Sequence, residues 1–164
     1  MKTRKLTYMA LAAALAMILS YIESLIPPLT AIPGIKAGLA NIAVVFALYK
    51  LGWKEAAAIS LVRVVAVSFL FGTAMSMLYS IAGAVLSLAG MTLLKKLPVF
   101  SCISVSVAGG VLHNVGQILM ACVLLETNVI RFYLPFLIIS GTIAGIIIGL
   151  ISGLLIKRLK VKDI

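Results

Sequence analysis

Seven charged or hydrogen-bonding side chains stand where an otherwise apolar chain has little reason to keep them: Glu23, Lys36, Asn41, Arg63, His113, Asn114 and Gln117. Arg63 is the most demanding. Counted from Lys54 at about 1.5 Å of helical rise per residue, it lies about 13 Å inside an apolar run. An arginine at the centre of a membrane helix costs about 2.5–3.5 kcal/mol on insertion scales, so it must face the bundle interior and meet a partner. As chemistry it offers an anion-binding group in a cavity. As structure it has three other outlets: backbone carbonyls, Glu23 or a lipid phosphate. Both readings stay open at this point.

His113, Asn114 and Gln117 form the second group. His113 and Gln117 are four apart and share a helix face. Gly109, Gly110 and Gly116 are expected to leave space beside them. His113 lies about 18 Å from the inner end of its run, near the depth of Arg63. A lone membrane histidine is often only an interhelical hydrogen bond. Three polar groups this close, opposite a buried arginine, point instead to a ligand site. Lys36 and Asn41 open one run and Glu23 closes another, all near the outer surface. Lys36 and Glu23 can pair across the mouth of a cavity, or Lys36 can stay a solvated loop lysine. Asn41 is deeper and costlier to leave unpaired, so a bound partner is expected for it.

Other chemistries lack their residues. The only aspartate is Asp163, so no aspartate cluster can hold magnesium on a diphosphate. One histidine and two cysteines give no zinc, haem or iron–sulfur set. Cys102 and Cys122 fall about 30 Å apart along one helix, too far to bridge, and read as packing residues. There is no phosphate loop of the Gly-x-x-x-x-Gly-Lys-Ser/Thr type and no nucleophile–base–acid constellation. No metal, no cofactor and no catalysis are expected of this chain alone.

These side chains must be positioned by membrane helices. Hydrophobic residues make up 63% of the chain and charged residues 11%, against about 25% charged in a soluble domain. The net charge of +10 is confined to the ends of apolar runs. That excludes a nucleic-acid partner and favours the lipids of an anionic inner leaflet. Lys2, Arg4 and Lys5 precede the first run, Lys50 and Lys54 follow the second, and Lys95 and Lys96 follow the fourth. Lys157, Arg158, Lys160 and Lys162 follow the last, and the intervening breaks hold only Lys36 and Arg131. Short basic loops stay cytoplasmic. The pattern predicts an all-α integral membrane protein in a bacterial-type plasma membrane: one domain over 1–164, six transmembrane helices, both termini cytoplasmic. The expected helices cover about 6–26, 36–51, 54–71, 74–94, 101–125 and 134–156. The first segment imitates a signal peptide, but its apolar run from Leu6 to Ile22 is too long for one and is kept as a helix.

Two helices carry small residues at four-residue spacing, which lets backbones approach closely. Gly141, Gly145, Gly149 and Gly153 are expected to pack inside the bundle. Ala10 with Ala14, and Ala12 with Ala16, are candidates either for packing or for docking on a partner's helices.

The stretch from Ile32 to Ile42 (IPGIKAGLANI), then LGWKE at Leu51–Glu55, Arg63, FGT at Phe71–Thr73 and HNVGQ at His113–Gln117 resemble the Gx transporter family. Its members carry the label heptaprenyl diphosphate synthase component I, and the resemblance covers nearly the whole chain. The family in turn resembles the substrate-binding (S) components of energy-coupling factor (ECF) transporters. The resemblance implies a six-helix bundle that captures a small organic solute from outside. It also implies partnership with a membrane coupling (T) subunit and two ATPase subunits. On that reading Lys36 and Asn41 close the outer mouth, Arg63, His113, Asn114 and Gln117 orient the ligand, and Ala10, Ala12, Ala14 and Ala16 meet the T subunit. The alternatives are an accessory membrane subunit of isoprenoid or quinone metabolism, and a subunit of flavin- and quinone-linked membrane electron transfer. The synthase label fits poorly with a chain that lacks aspartate-rich motifs.

Overall fold

Six apolar runs separated by glycine, proline and charge fold as helices wherever the chain is described. A computed structural model of the protein describes residues 2–25, 38–126 and 129–159. The helices are α1 (Lys2–Leu25), α2 (Asn41–Lys50), α3 (Trp53–Phe71), α4 (Ala74–Lys95), α5 (Cys102–Leu124) and α6 (Leu134–Arg158). A short 3-10 segment, Val129–Tyr133, leads into α6. The all-helical class is as expected. The expectation of six long apolar crossings is met only in part. Four helices, α1, α4, α5 and α6, are long and apolar enough to cross a membrane. Helix α3 has the length, but Lys54, Glu55 and Arg63 break its apolar character. Helix α2 begins at Asn41, not near Lys36, and at about 1.5 Å per residue covers only about 15 Å.

The late start of α2 has a local cause. Gly38 takes a left-handed conformation (φ +73°). The N–H of Asn41 donates to its carbonyl at 2.8 Å, which closes a turn before the helix begins. Gly52 supplies the other reversal: at φ +123° it caps α3 and lets α2 turn directly into it.

The short connections force antiparallel neighbours. Helices α4, α5 and α6 pack in sequence order, with the most extensive contacts between α5 and its two neighbours. Helix α3 joins α4, and α2 lies against both α3 and α6, closing a ring. Helix α1 leans on α2 and α3. Helix α2 is the hub. Ile42, Ala43, Val44, Val45, Ala47 and Leu48 are all buried, as suits a helix that is apolar all round. The Lys95 ammonium donates to the Leu48 carbonyl at 2.6 Å, tying α4 to the end of α2. Lys5 and Glu55 pair at 2.6 Å and tie α1 to α3. Trp53 sits beside this pair, half-exposed, with the Lys54 ammonium 5.8 Å from its ring.

Glycine sets the spacing of α5 and α6. A Cβ on Gly110 would meet the Gly141 carbonyl oxygen at 2.5 Å, and one on Gly145 would meet the Val107 Cα at 2.5 Å. One on Gly149 would meet the Ile103 Cα at 2.7 Å. The expected packing role therefore holds for three members of the stripe. Around Gly153 nothing lies within 4 Å. The two alanine rows separate as well. Ala12 and Ala16 are buried in the core, while Ala10 and Ala14 are exposed. Ala12 and Ala16 thus pack within the bundle, and Ala10 and Ala14 are the members of the two rows left exposed. Ala12→Leu is expected to destabilise the isolated protein by about 1–3 kcal/mol through overpacking. Thermal unfolding in detergent measures it.

Much of the outer surface is apolar: Phe69 is 78% exposed and Val123 71%. Soluble monomers rarely present contiguous apolar patches on this scale. The protein is a multi-helix membrane protein whose outer faces meet lipid.

Candidate functional site

One stripe of α3 faces inward: Arg63, Val64, Val67, Ser68 and Phe71, with Gly72 at its end. The steps of three and four residues between its members keep them on one helical face. Opposite it stand His113, Asn114 and Gln117 of α5, with Gly110 one turn before His113. Ser20 and Glu23 enter from α1, Gly38 and Asn41 from the start of α2, Ser76 and Ser80 from α4, and Gly141, Ala144 and Ile148 from α6. Together they line a cavity of about 110 Å³.

The structure brings together six of the side chains singled out in the sequence: Glu23, Asn41, Arg63, His113, Asn114 and Gln117 all line this cavity. Lys36 lies outside the described residues. Four serines were not anticipated. Ser20 and Glu23 are three apart, and Ser76 and Ser80 four apart, which are same-face spacings. Those spacings were the available signal. They were masked because serine is common in membrane helices for packing alone.

Arg63 is 9% exposed, and its Nε has no hydrogen-bond partner. A buried donor left unsatisfied costs about 1–3 kcal/mol, more for a charged group. Glu23, one of the structural outlets foreseen for Arg63, lines the same cavity without satisfying Nε. Glu23 in turn accepts a hydrogen bond from the Gly38 N–H, which fixes the C-terminal end of α1 to the turn before α2. Glu23 and His113 make further interactions of their own.

Close helix approach makes room for the polar side chains. A Cβ at Gly83 on α4 would lie 3.0 Å from His113 Cε1, and one at Gly141 would lie 2.9 Å from Asn114 Nδ2. Asn114 Nδ2 donates to the Leu137 carbonyl at 2.6 Å, which leaves its Oδ1 as the acceptor it can offer. Gly109 and Gly116 do not open space for the site, as their positions had suggested. A Cβ on Gly116 would strike Ala82 and Gly83, and one on Gly109 would strike Met91, so both serve the α4–α5 contact.

The rings of Tyr21 and Phe71 meet at 5.1 Å, joining α1 to α3 beside the cavity. Thr73 and Ser76 form a reciprocal cap at the start of α4. Separately, an apolar groove of about 340 Å³ runs between α1 (Tyr8, Leu11, Ala12, Leu15), α2 (Ile42, Ala43, Phe46) and the end of α6 (Leu155, with Leu159 just past it).

No curated protein and no solved structure matches the chain. A family model described as heptaprenyl diphosphate synthase component I matches residues 12–155, a span that contains every residue named as lining the cavity. The chain therefore belongs to the heptaprenyl diphosphate synthase component I family.

Proposed function

We propose that the protein is the substrate-capturing membrane subunit of an ECF-type importer, holding a small organic solute in the Arg63 cavity. One observation carries the reading. A buried arginine with an unsatisfied Nε shares a cavity with three side-chain amides and a histidine. A chain with no ligand would gain stability by losing such groups. In this reading α2 and α3 complete six crossings, both termini are cytoplasmic, and the cavity opens outward in a bacterial-type plasma membrane. The chain itself is not an enzyme; a T subunit and two ATPase subunits supply the energy.

The exposed row of Ala10 and Ala14 is the part of α1 left for docking the T subunit. Ala14→Leu is expected to leave thermal stability unchanged and to cut co-purification with the T subunit at least about tenfold, since bulk at a small-residue interface holds helices apart. Normal co-purification refutes the docking surface.

A second reading, an accessory subunit of isoprenoid or quinone metabolism, draws on the family's description and on the apolar groove. Native mass spectrometry of gently purified full-length protein separates the two. A retained water-soluble compound supports uptake. A retained prenyl or quinone compound supports the second reading and overturns the first.

A further inference from the structure

The chemical class of the ligand follows from the charges around the cavity, granted the binding role proposed above. Among the described residues that line it, the formal charges are one guanidinium, Arg63, and one carboxylate, Glu23. A net anion entering that pair leaves an uncompensated negative charge in a poorly hydrated space, and burying an unpaired charge is among the costliest acts in a membrane interior. A diphosphate, with several negative charges, is the worst case. A net cation meets the converse problem at Arg63. A molecule without net charge leaves the balance intact.

Hydrogen bonding sharpens this. Arg63 Nε is a donor with no acceptor. Glu23 and the remaining Oδ1 of Asn114 are acceptors. A fitting ligand therefore carries both kinds of group at separate points. Size adds a scale. A cavity of about 150 Å³ can hold benzene, and this one of about 110 Å³ suits a compact body. Val64, Val67 and Ile148 give that body an apolar wall.

We propose that the cavity takes a compact molecule of zero net charge, which presents an acceptor to Arg63 and a donor toward Glu23. The family's description would suggest a diphosphate; the Glu23 carboxylate in the same cavity as Arg63 works against it.

Two measurements on the full-length protein test this. In the first, small molecules that co-purify with wild type and with Arg63→Gln are compared by mass spectrometry. The expected result is a compound neutral or zwitterionic at pH 7, depleted at least about tenfold in the variant. A retained net anion that still depends on Arg63 overturns the proposed class but leaves the binding cavity standing. No compound that depends on Arg63 overturns the cavity reading and this inference with it. In the second, thermal unfolding is followed with inorganic pyrophosphate as probe. Wild type should shift by less than about 1 °C, while Glu23→Gln, which leaves Arg63 uncompensated, should gain several degrees by binding linkage. Equal shifts in both proteins, or none in either, show that Glu23 is not what excludes anions. Should Glu23→Gln fail to fold, a pyrophosphate shift in wild type alone overturns the proposal, and the first measurement decides otherwise.

Discussion

Arg63→Ala should empty the protein. Hydrogen bonds to a charged group contribute about 1.5–3 kcal/mol, and each 1.4 kcal/mol is about tenfold in affinity. Loss of the guanidinium should therefore lower affinity for the retained solute by about one to two orders of magnitude. The variant should nonetheless fold and extract in detergent, because the Glu23 carboxylate it leaves behind still accepts from the Gly38 N–H. Arg63→Lys should sit between the two: it keeps a charge but not the planar fork. Occupancy measured by native mass spectrometry, beside size-exclusion profiles of the same preparations, checks both halves. Unchanged occupancy in Arg63→Ala removes Arg63 from the site.

The second large effect is structural. Gly145→Val would drive a Cβ to 2.5 Å from the Val107 Cα and 3.0 Å from the Ser106 carbonyl oxygen. Both contacts are backbone, so no side-chain rotation relieves them, and α5 must part from α6. Overpacking of buried contacts costs about 1–3 kcal/mol and occasionally more. A whole-helix separation belongs at or above the upper end, so folded yield should fall at least about tenfold. Gly153→Val, in the same helix and the same stripe, has nothing within 4 Å and should leave yield and unfolding temperature close to wild type. Equal effects at the two positions would show that the stripe acts through helix propensity and not through close approach.

The path from sequence to structure was uneven, for physical reasons. Helix ends were legible where charge or proline marks them: the expected third and fourth helices differ from α3 and α4 by one residue at an end. The start of α2 was not, because Ala37 to Ala40 is apolar enough to read as helix while Gly38 adopts φ +73°. The depth match of Arg63 and His113 came from counting helical rise, and both line one cavity. Glu23 was placed at the mouth with Lys36. Its reach to Gly38 and its place in the cavity with Arg63 depend on how α1 rotates about its axis. Hydropathy cannot set that rotation, since lipid is as apolar as the bundle interior. The same blindness left the Ala10–Ala14 and Ala12–Ala16 rows indistinguishable until packing separated them.

The chain has a single tryptophan, at the start of α3 and half-exposed. An indole in that position gives an optical gauge native to the protein. Its emission colour and its quenching by lipids brominated at defined depths read how far that end of the bundle stands from the headgroups. Any tilt of the bundle in the bilayer would move that gauge, with no dye attached and no residue exchanged.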